Sequence, residues 1–361
     1  MISSTIPSHS GNSRVNLSVP DGAHPLELSL PLPAKYCYII DLIMEKTDKS
    51  RIRQLTRQAS KLALHYSQWV LCHLPRWTIT LLMTLIFPIA YLFMGRLRNI
   101  AQINFQSVYG PDKDTPTSRQ MTSQCLRQTG RTMIDLLYFV ERPQLFSQQV
   151  IIHGEDHLIR ALDQKKGVIV YTAHLNNFPL MFVALVQKGY PVNFLIRPMR
   201  DPEFSRFMFD LCAKWHINMI PTKPRRDFLR RSYAALENNE LLFIMMDESP
   251  PDNKGTPVPF LGQTVKRAPG PLLFYKKFQS PVLPMFIVQD EQRRFHVYVE
   301  PEIKIVEGTD RQDFEERNTA SMTAVIEKYV RKYPLQWGGW LNKRWSETSA
   351  LPMRPAPGQT D

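Results

Sequence analysis

Residues 167–177 read GVIVYTAHLNN, and this stretch decides the fold class. A continuous apolar run ends in polar residues, and a stretch of helical character (PLMFVALVQKG, 179–189) follows. Similar apolar runs lie at residues 191–196, 241–246 and 282–288. Apolar runs separated by amphipathic helices are typical of parallel strands buried on both faces. The sequence therefore predicts an α/β fold with a mainly parallel sheet flanked by helices, and the alternating residues 295–305 predict a hairpin at its edge.

Polar side chains follow two of these runs directly. His174 stands after GVIVYTA, and Asp247 and Glu248 stand after LLFIMM. Open α/β sheets bind ligands beyond the carboxyl ends of their strands, so both positions are candidates for a site. A histidine there is placed to act as a general base, although a core histidine with one satisfied nitrogen is an equally ordinary reading. The two carboxylates could equally serve as a helix cap and a turn.

The bulk composition limits the class of partner. The chain has 361 residues, 43% of them hydrophobic, and a net charge of +12, which predicts a globular protein with a polyanionic partner. Its cysteines are scattered without CxxC spacing, which favours reduced thiols: Cys37, Cys72, Cys125 and Cys212. No Walker loop, dinucleotide fingerprint, GxSxG elbow or nucleic-acid-binding motif appears in the sequence. We therefore predict no cofactor, no metal and no nucleic-acid partner.

The sequence divides into four regions. Residues 1–33 are rich in Ser, Pro and Asn and predict a disordered leader; residues 347–361 predict a flexible tail. Residues 34–100 form a basic amphipathic region that includes the uncharged stretch 77–95, and residues 101–346 form the α/β domain. As a helix, 77–95 would be about 28 Å long, close to the hydrocarbon thickness, with a kink at Pro88. It predicts a membrane-associated helix flanked by arginines; a buried core helix is the alternative.

Five segments together resemble one enzyme family. They are RNIAQINF (98–105), GRTMIDL (130–136), LIRPMRDPEFSRF (195–207), DESPPDNKGTPVPFLGQTVKRAPGPLLFYKKFQSP (247–281) and YPLQWGGWLNKRW (333–345). In this order they are similar to the late acyltransferases of lipid A biosynthesis, the lauroyl and myristoyl transferases, within the glycerolipid acyltransferase superfamily. The resemblance runs from about residue 60 to residue 346, and the combination of the last two segments is its most specific part.

This resemblance implies a reaction, a location and partners. The family transfers an acyl group from acyl carrier protein or coenzyme A to a hydroxyl of a lipid, such as a lipid A precursor or a lysolipid. It implies a bacterial inner-membrane protein whose catalytic domain faces the cytoplasm. The positive net charge suits both an acidic carrier protein and an anionic membrane lipid.

The expected catalytic pair is incomplete in this sequence. In the family, a histidine and an acid five positions later form a dyad; His174 and Asn177 match the motif, but Pro179 stands at the acid's position. None of the nine histidines is followed by an acid at that spacing. Another carboxylate can take the role, with Asp247 and Glu248 the first candidates. Alternatively, the reaction needs a weaker base or transfers another group such as an aminoacyl group, or the protein is a catalytically silent binder of lipid or carrier.

The remaining site residues are predicted to contact substrate. Arg197 and Arg200 follow a strand and match basic positions of the family, while Lys266 and Arg267 precede the sequence APGP (268–271), near the family's substrate loop. For the arginines a solvated loop is the equally ordinary reading. Asn177 is the fifth predicted substrate contact. Trp337, Trp340 and Trp345 predict either an interfacial aromatic cluster or core packing.

Overall fold

A computed structural model of the chain describes residues 74–110, 118–197, 202–250 and 254–342. In chain order the helices are α1 (Arg76–Phe93), α2 (Gly95–Tyr109), α3 (Ser118–Val140), α4 (Pro143–Ser147), α5 (Glu155–Asp163), α6 (Phe178–Gln187), α7 (Pro202–Lys214), α8 (Arg225–Glu237), α9 (Gly270–Phe278) and α10 (Arg311–Lys332). The strands are β1 (Val150–His153), β2 (Val168–Thr172), β3 (Val192–Ile196), β4 (Ile217–Pro221), β5 (Leu241–Met245), β6 (Thr256–Phe260), β7 (Gln263–Arg267), β8 (Val282–Gln289) and β9 (Phe295–Val299). Two short 3-10 helices, Pro334–Gln336 and Gly338–Leu341, close the described chain.

The predicted mainly parallel sheet flanked by helices is confirmed. A seven-stranded sheet has the order β1-β9-β8-β2-β5-β3-β4, and every adjacent pair in it is parallel except β8 with β9. The four apolar runs became β2, β3, β5 and β8, and β2 and β8 are buried along their whole length. Helices cover both faces, and a separate core cluster lies on each side of the sheet. β2 and β8 therefore bury both of their faces in the core, which explains the absence of alternation in these two runs.

The prediction of an edge hairpin at residues 295–305 is wrong. Only Phe295–Val299 forms a strand, and it lies inside the sheet with β8 antiparallel on one side and β1 parallel on the other. Its inward residues alternate with half-buried ones, as the pattern suggested. Alternation indicates that one face of a strand is more buried than the other. It does not show which strands pair with its two edges, so it cannot reveal that β1 pairs with β9 on the side away from β8.

Helix α1 presents apolar side chains to solvent. Trp77 is 71% exposed and Phe93 86%, and five more large apolar residues of α1 are more than half exposed: Leu81, Leu85, Ile86, Ile89 and Leu92. The helix continues through Pro88, and the chain bends between Phe93 and Gly95. Within the described residues no single helix has the length and apolar character of a membrane span, but α1 and α2, bent by 87°, meet that requirement as a pair on length and composition.

The predicted leader (1–33), most of the basic amphipathic region and the predicted tail (347–361) lie outside the described residues. Cys125 and Cys212 are free thiols, the first buried and the second partly so.

Candidate active site

Strand pairing brings the two polar segments together. β2 and β5 are neighbours and run parallel, and Thr172 pairs with Met245 in their register. His174 and Asp247 each stand two residues beyond these partners, so they leave the same edge of the sheet side by side. His174 Nδ1 lies 2.9 Å from Asp247 Oδ1. A carboxylate that is 73 residues away in sequence therefore occupies hydrogen-bonding distance of the imidazole.

The residue at the family's acid position has a different local role. Pro179 lies in the first turn of α6, where a missing backbone N–H costs nothing because that donor has no partner inside the helix. Its side chain accepts no hydrogen bond. Asp247 thus supplies from the neighbouring strand the carboxylate that Pro179 lacks.

Asp247 is fully buried, with an exposed side-chain fraction of 0%. Its Oδ2 accepts hydrogen bonds from the His174 backbone N–H at 2.9 Å and from the Trp337 indole N–H at 2.8 Å. Burial alone would raise the pKa of this carboxyl, but His174 and these donors outweigh it and lower the pKa to about 2. The group is therefore an ionised carboxylate at neutral pH.

Burial and charge act on His174 in opposite directions. Burial lowers the pKa of the imidazole, but the attraction and hydrogen bond of Asp247, together with Glu248, prevail and raise the pKa to about 9. The side chain remains 34% exposed. Because the ionised Asp247 accepts from Nδ1–H, the basic lone pair of the neutral imidazole is on Nε2, which has no hydrogen-bond partner among the described residues. This nitrogen can take a proton from an incoming group.

The segment 333–342 fixes the loop that carries His174. Leu175 pairs with Trp337 as an isolated antiparallel bridge, the Asn176 N–H donates to the Gln336 carbonyl at 2.7 Å, and the Gly338 N–H donates to the His174 carbonyl at 2.8 Å. Asn176 has a φ of 44°, in the left-handed region. Its side-chain Nδ2 donates to Gln336 Oε1 at 2.7 Å. Gln336 is thus a positioning residue that sequence reasoning missed, although the YPLQWGGW segment was the signal for it.

Two helices hold this closing segment in turn. Asn104 of α2, fully buried, donates from Nδ2 to the Trp340 carbonyl at 2.8 Å, and Phe105 stacks on the Trp340 ring with centroids 4.4 Å apart. Trp337 and Trp340 are 1% and 0% exposed, so core packing, not an interfacial cluster, describes both. Trp345 lies outside the described residues. The RNIAQINF segment therefore acts on the site through the closing segment.

A comparison with known protein families now bears on this geometry. The model of the bacterial lipid A biosynthesis acyltransferase family matches residues 47–347. The chain belongs to this family. A search of curated proteins finds none that matches this chain.

Glu248, the residue after Asp247, forms an ion pair with Arg197. Its Oε2 lies 3.9 Å from Arg197 Nη1, and its Oε1 accepts from Asn342 Nδ2 at 3.3 Å. Glu248 therefore contacts Arg197 and Asn342, and of the two carboxylates it is Asp247 that bonds to His174. Arg197, 47% exposed, and Glu248, 37% exposed, face solvent beside the imidazole.

The other predicted substrate contacts are not all brought to the site. Asn177 is fully buried before α6 and donates from Nδ2 to the Thr132 carbonyl of α3 at 2.8 Å, which joins the histidine loop to that helix. Arg267 is 1% exposed, and Lys266 is half-buried on β7. Arg200 lies outside the described residues. Substrate contact remains a prediction for these residues. No group of three or more His, Cys, Asp or Glu side chains able to hold a metal occurs among the residues that the structure describes.

Proposed function

We propose that this protein is an active acyltransferase that moves an acyl group from acyl carrier protein or coenzyme A to a hydroxyl of a lipid, such as a lipid A precursor or a lysolipid. The family supports acyl transfer in general. The observation that carries the proposal is the pair formed by His174 Nδ1 and the buried Asp247 carboxylate, 2.9 Å apart. Pro179 was the reason to consider a silent homologue, and Asp247 weakens that reason because it supplies the missing carboxylate.

The proposed reaction uses the free imidazole nitrogen. The acceptor hydroxyl gives its proton to Nε2 of the neutral His174, its oxygen bonds to the thioester carbonyl carbon, and the carbon–sulfur bond breaks. The proton then passes from Nε2 to the departing thiolate. Asp247 holds the ring in the required tautomer and stabilises the imidazolium that forms in between, without taking the proton itself. No covalent acyl-enzyme is needed.

Placement at the bacterial inner membrane, with the catalytic domain facing the cytoplasm, is part of the same proposal. The exposed apolar residues of α1 and the bent α1–α2 pair support contact with lipid acyl chains. The net charge of +12 supports attraction to anionic lipid headgroups and to an acidic carrier protein. An acceptor held in the membrane would then meet the imidazole beside the bilayer.

The experiment is transfer from labelled acyl carrier thioesters and acyl-coenzyme A to a panel of lysolipids and lipid A precursors by membranes that contain the full chain. His174→Ala should abolish transfer while the protein still folds and sediments with the membranes. His296→Ala is the matched control, because His296 also pairs with an aspartate at 2.9 Å but lies on β9, two strands away from β2 in the sheet. Transfer that survives His174→Ala would remove the proposed active site.

A further inference from the structure

Arg267, the last residue of β7, carries a buried positive charge. The residue is 1% exposed, and its guanidinium carbon lies 4.7 Å from the centroid of the Phe260 ring. A Cβ at Gly255 would lie 2.7 Å from the Arg267 carbonyl oxygen, so the chain packs closely around this residue. Burial of such a long charged side chain is unusual unless other charges compensate it.

Hydrogen bonds do not provide that compensation within the described part of the chain. Nε and Nη2 of Arg267 are buried there without a hydrogen-bond partner. Burial lowers the pKa of the guanidinium to about 10, and the two charges that oppose this effect are the carboxylates of Asp247 and Glu248. The cation and the site's carboxylates therefore lie within electrostatic reach of each other.

A contact path also joins Arg267 to the dyad. Phe260, on which the guanidinium stacks, meets the Trp337 indole edge-on with centroids 5.4 Å apart. The Trp337 N–H donates to Asp247 Oδ2 at 2.8 Å. Arg267 is thus connected to Asp247 both by this series of contacts and by the interaction of their charges.

We propose that Arg267 is a positioning residue whose buried charge balances Asp247 and Glu248 and so sets the pH at which His174 becomes a base. This inference rests on the proposed function for its catalytic meaning, but not for its test. The charges that act most strongly on the imidazole are Asp247 and Glu248 after β5 and Arg197 after β3, and Arg267 acts on it by opposing the two carboxylates. From α10, which packs on β6, Glu327 contributes a charge already paired with Arg331 at 2.6 Å.

Loss of the Arg267 charge has a predictable direction. Without this positive charge, less counteracts the stabilisation of the imidazolium by the two carboxylates. His174 therefore keeps its proton to a higher pH. The expected rise in the titration midpoint of His174 is about 0.5 to 1 pH unit, less than for a charge in direct contact. Arg267→Lys keeps the charge and should leave the midpoint unchanged.

The test is the pH dependence of His174 modification by diethyl pyrocarbonate, followed on the His174 peptide by mass spectrometry in the full chain. This reagent reacts with neutral imidazole and needs no turnover, so the result is independent of whether the chain transfers acyl groups. The variants are Arg267→Met, Arg267→Gln and Arg267→Lys. The matched control is Arg142→Met, because Arg142, between α3 and α4, also stacks on a ring, with its guanidinium carbon 4.2 Å from the Tyr138 centroid.

A higher midpoint in Arg267→Met and Arg267→Gln, with wild-type values in Arg267→Lys and Arg142→Met, supports the proposal. An unchanged or lower midpoint in the folded neutral variants overturns it. If neither neutral variant folds, Arg267 serves the fold instead, and the proposal fails on that result too. Absence of transfer with a shifted midpoint would reject the proposed function and leave this inference standing.

Discussion

Among the described residues, two histidine–aspartate pairs have the same nitrogen–oxygen distance. His174 meets Asp247 and His296 meets Asp290, each at 2.9 Å. Asp247 is fully buried and is bonded by the His174 ring, the His174 backbone and Trp337, whereas Asp290 is 21% exposed and also binds Arg294. The decisive difference is the second ring nitrogen. His296 Nδ1 lies 2.9 Å from His153 Nε2, while Nε2 of His174 has no partner among the described residues. The histidine–aspartate distance therefore does not distinguish the two pairs. His174 differs from His296 in that its Nε2 has no partner among the described residues and its aspartate is fully buried.

The largest expected effect separates the two carboxylates. Asp247→Asn should lower the rate of acyl transfer by about a thousandfold, because the imidazole loses its orientation and its counter-charge. Asp290→Asn should change the rate by less than about twofold, since its described partners are His296 and Arg294 and neither contacts His174 or Asp247. Transfer by membranes that contain each variant checks both. Equal rates in the two variants would erase the distinction between the pairs.

A second change tests whether the position of the acid matters. Pro179→Asp places a carboxylate where the family has one. In the Asp247→Asn background it should raise the transfer rate about tenfold above that of Asp247→Asn alone. The reason is that both acids would act on the same imidazole, so their effects are not additive. Pro179→Asn in that background is the control and should recover nothing. Recovery by both, or by neither, would contradict a shared role.

The smallest effect concerns stability. Trp337→Phe removes one of the donors to Asp247 and should lower the free energy of unfolding by about 1 to 2 kcal/mol near neutral pH. The low pKa of Asp247 contributes stability that is present above the ordinary value of 3.8 and is lost as the pH falls toward about 2. Loss of the donor raises that pKa, so the variant should lose the contribution at a higher pH. Urea unfolding between pH 3 and pH 6, followed by circular dichroism, measures this; parallel pH curves for variant and wild type would contradict it.

The sequence predicted the parts of the site but not their assembly. The runs GVIVYTA and LLFIMM identified β2 and β5, and the polar residues after them identified His174 and Asp247 as candidates. Apolar patterns do not encode which strands are neighbours, so the Thr172–Met245 register had to come from the structure. Trp337 and Gln336 reach the dyad from the end of the described chain through long-range hydrogen bonds, which local patterns do not show. The same limit explains why the alternating pattern of residues 295–305 predicts an edge position for a strand that lies inside the sheet.

The central claim is that Asp247 makes Nε2 of His174 the base that accepts the hydroxyl proton. The most direct measurement is the single-turnover rate of acyl transfer against pH, corrected for uncatalysed thioester hydrolysis, in wild type and Asp247→Asn. A base must be unprotonated to act, and the attraction of Asp247 outweighs burial to raise the pKa of His174 to about 9. The wild-type rate should therefore rise with pH and level off above a midpoint near that value, while Asp247→Asn should show a lower midpoint and a much smaller plateau. Coincident midpoints in the two proteins would contradict the claim.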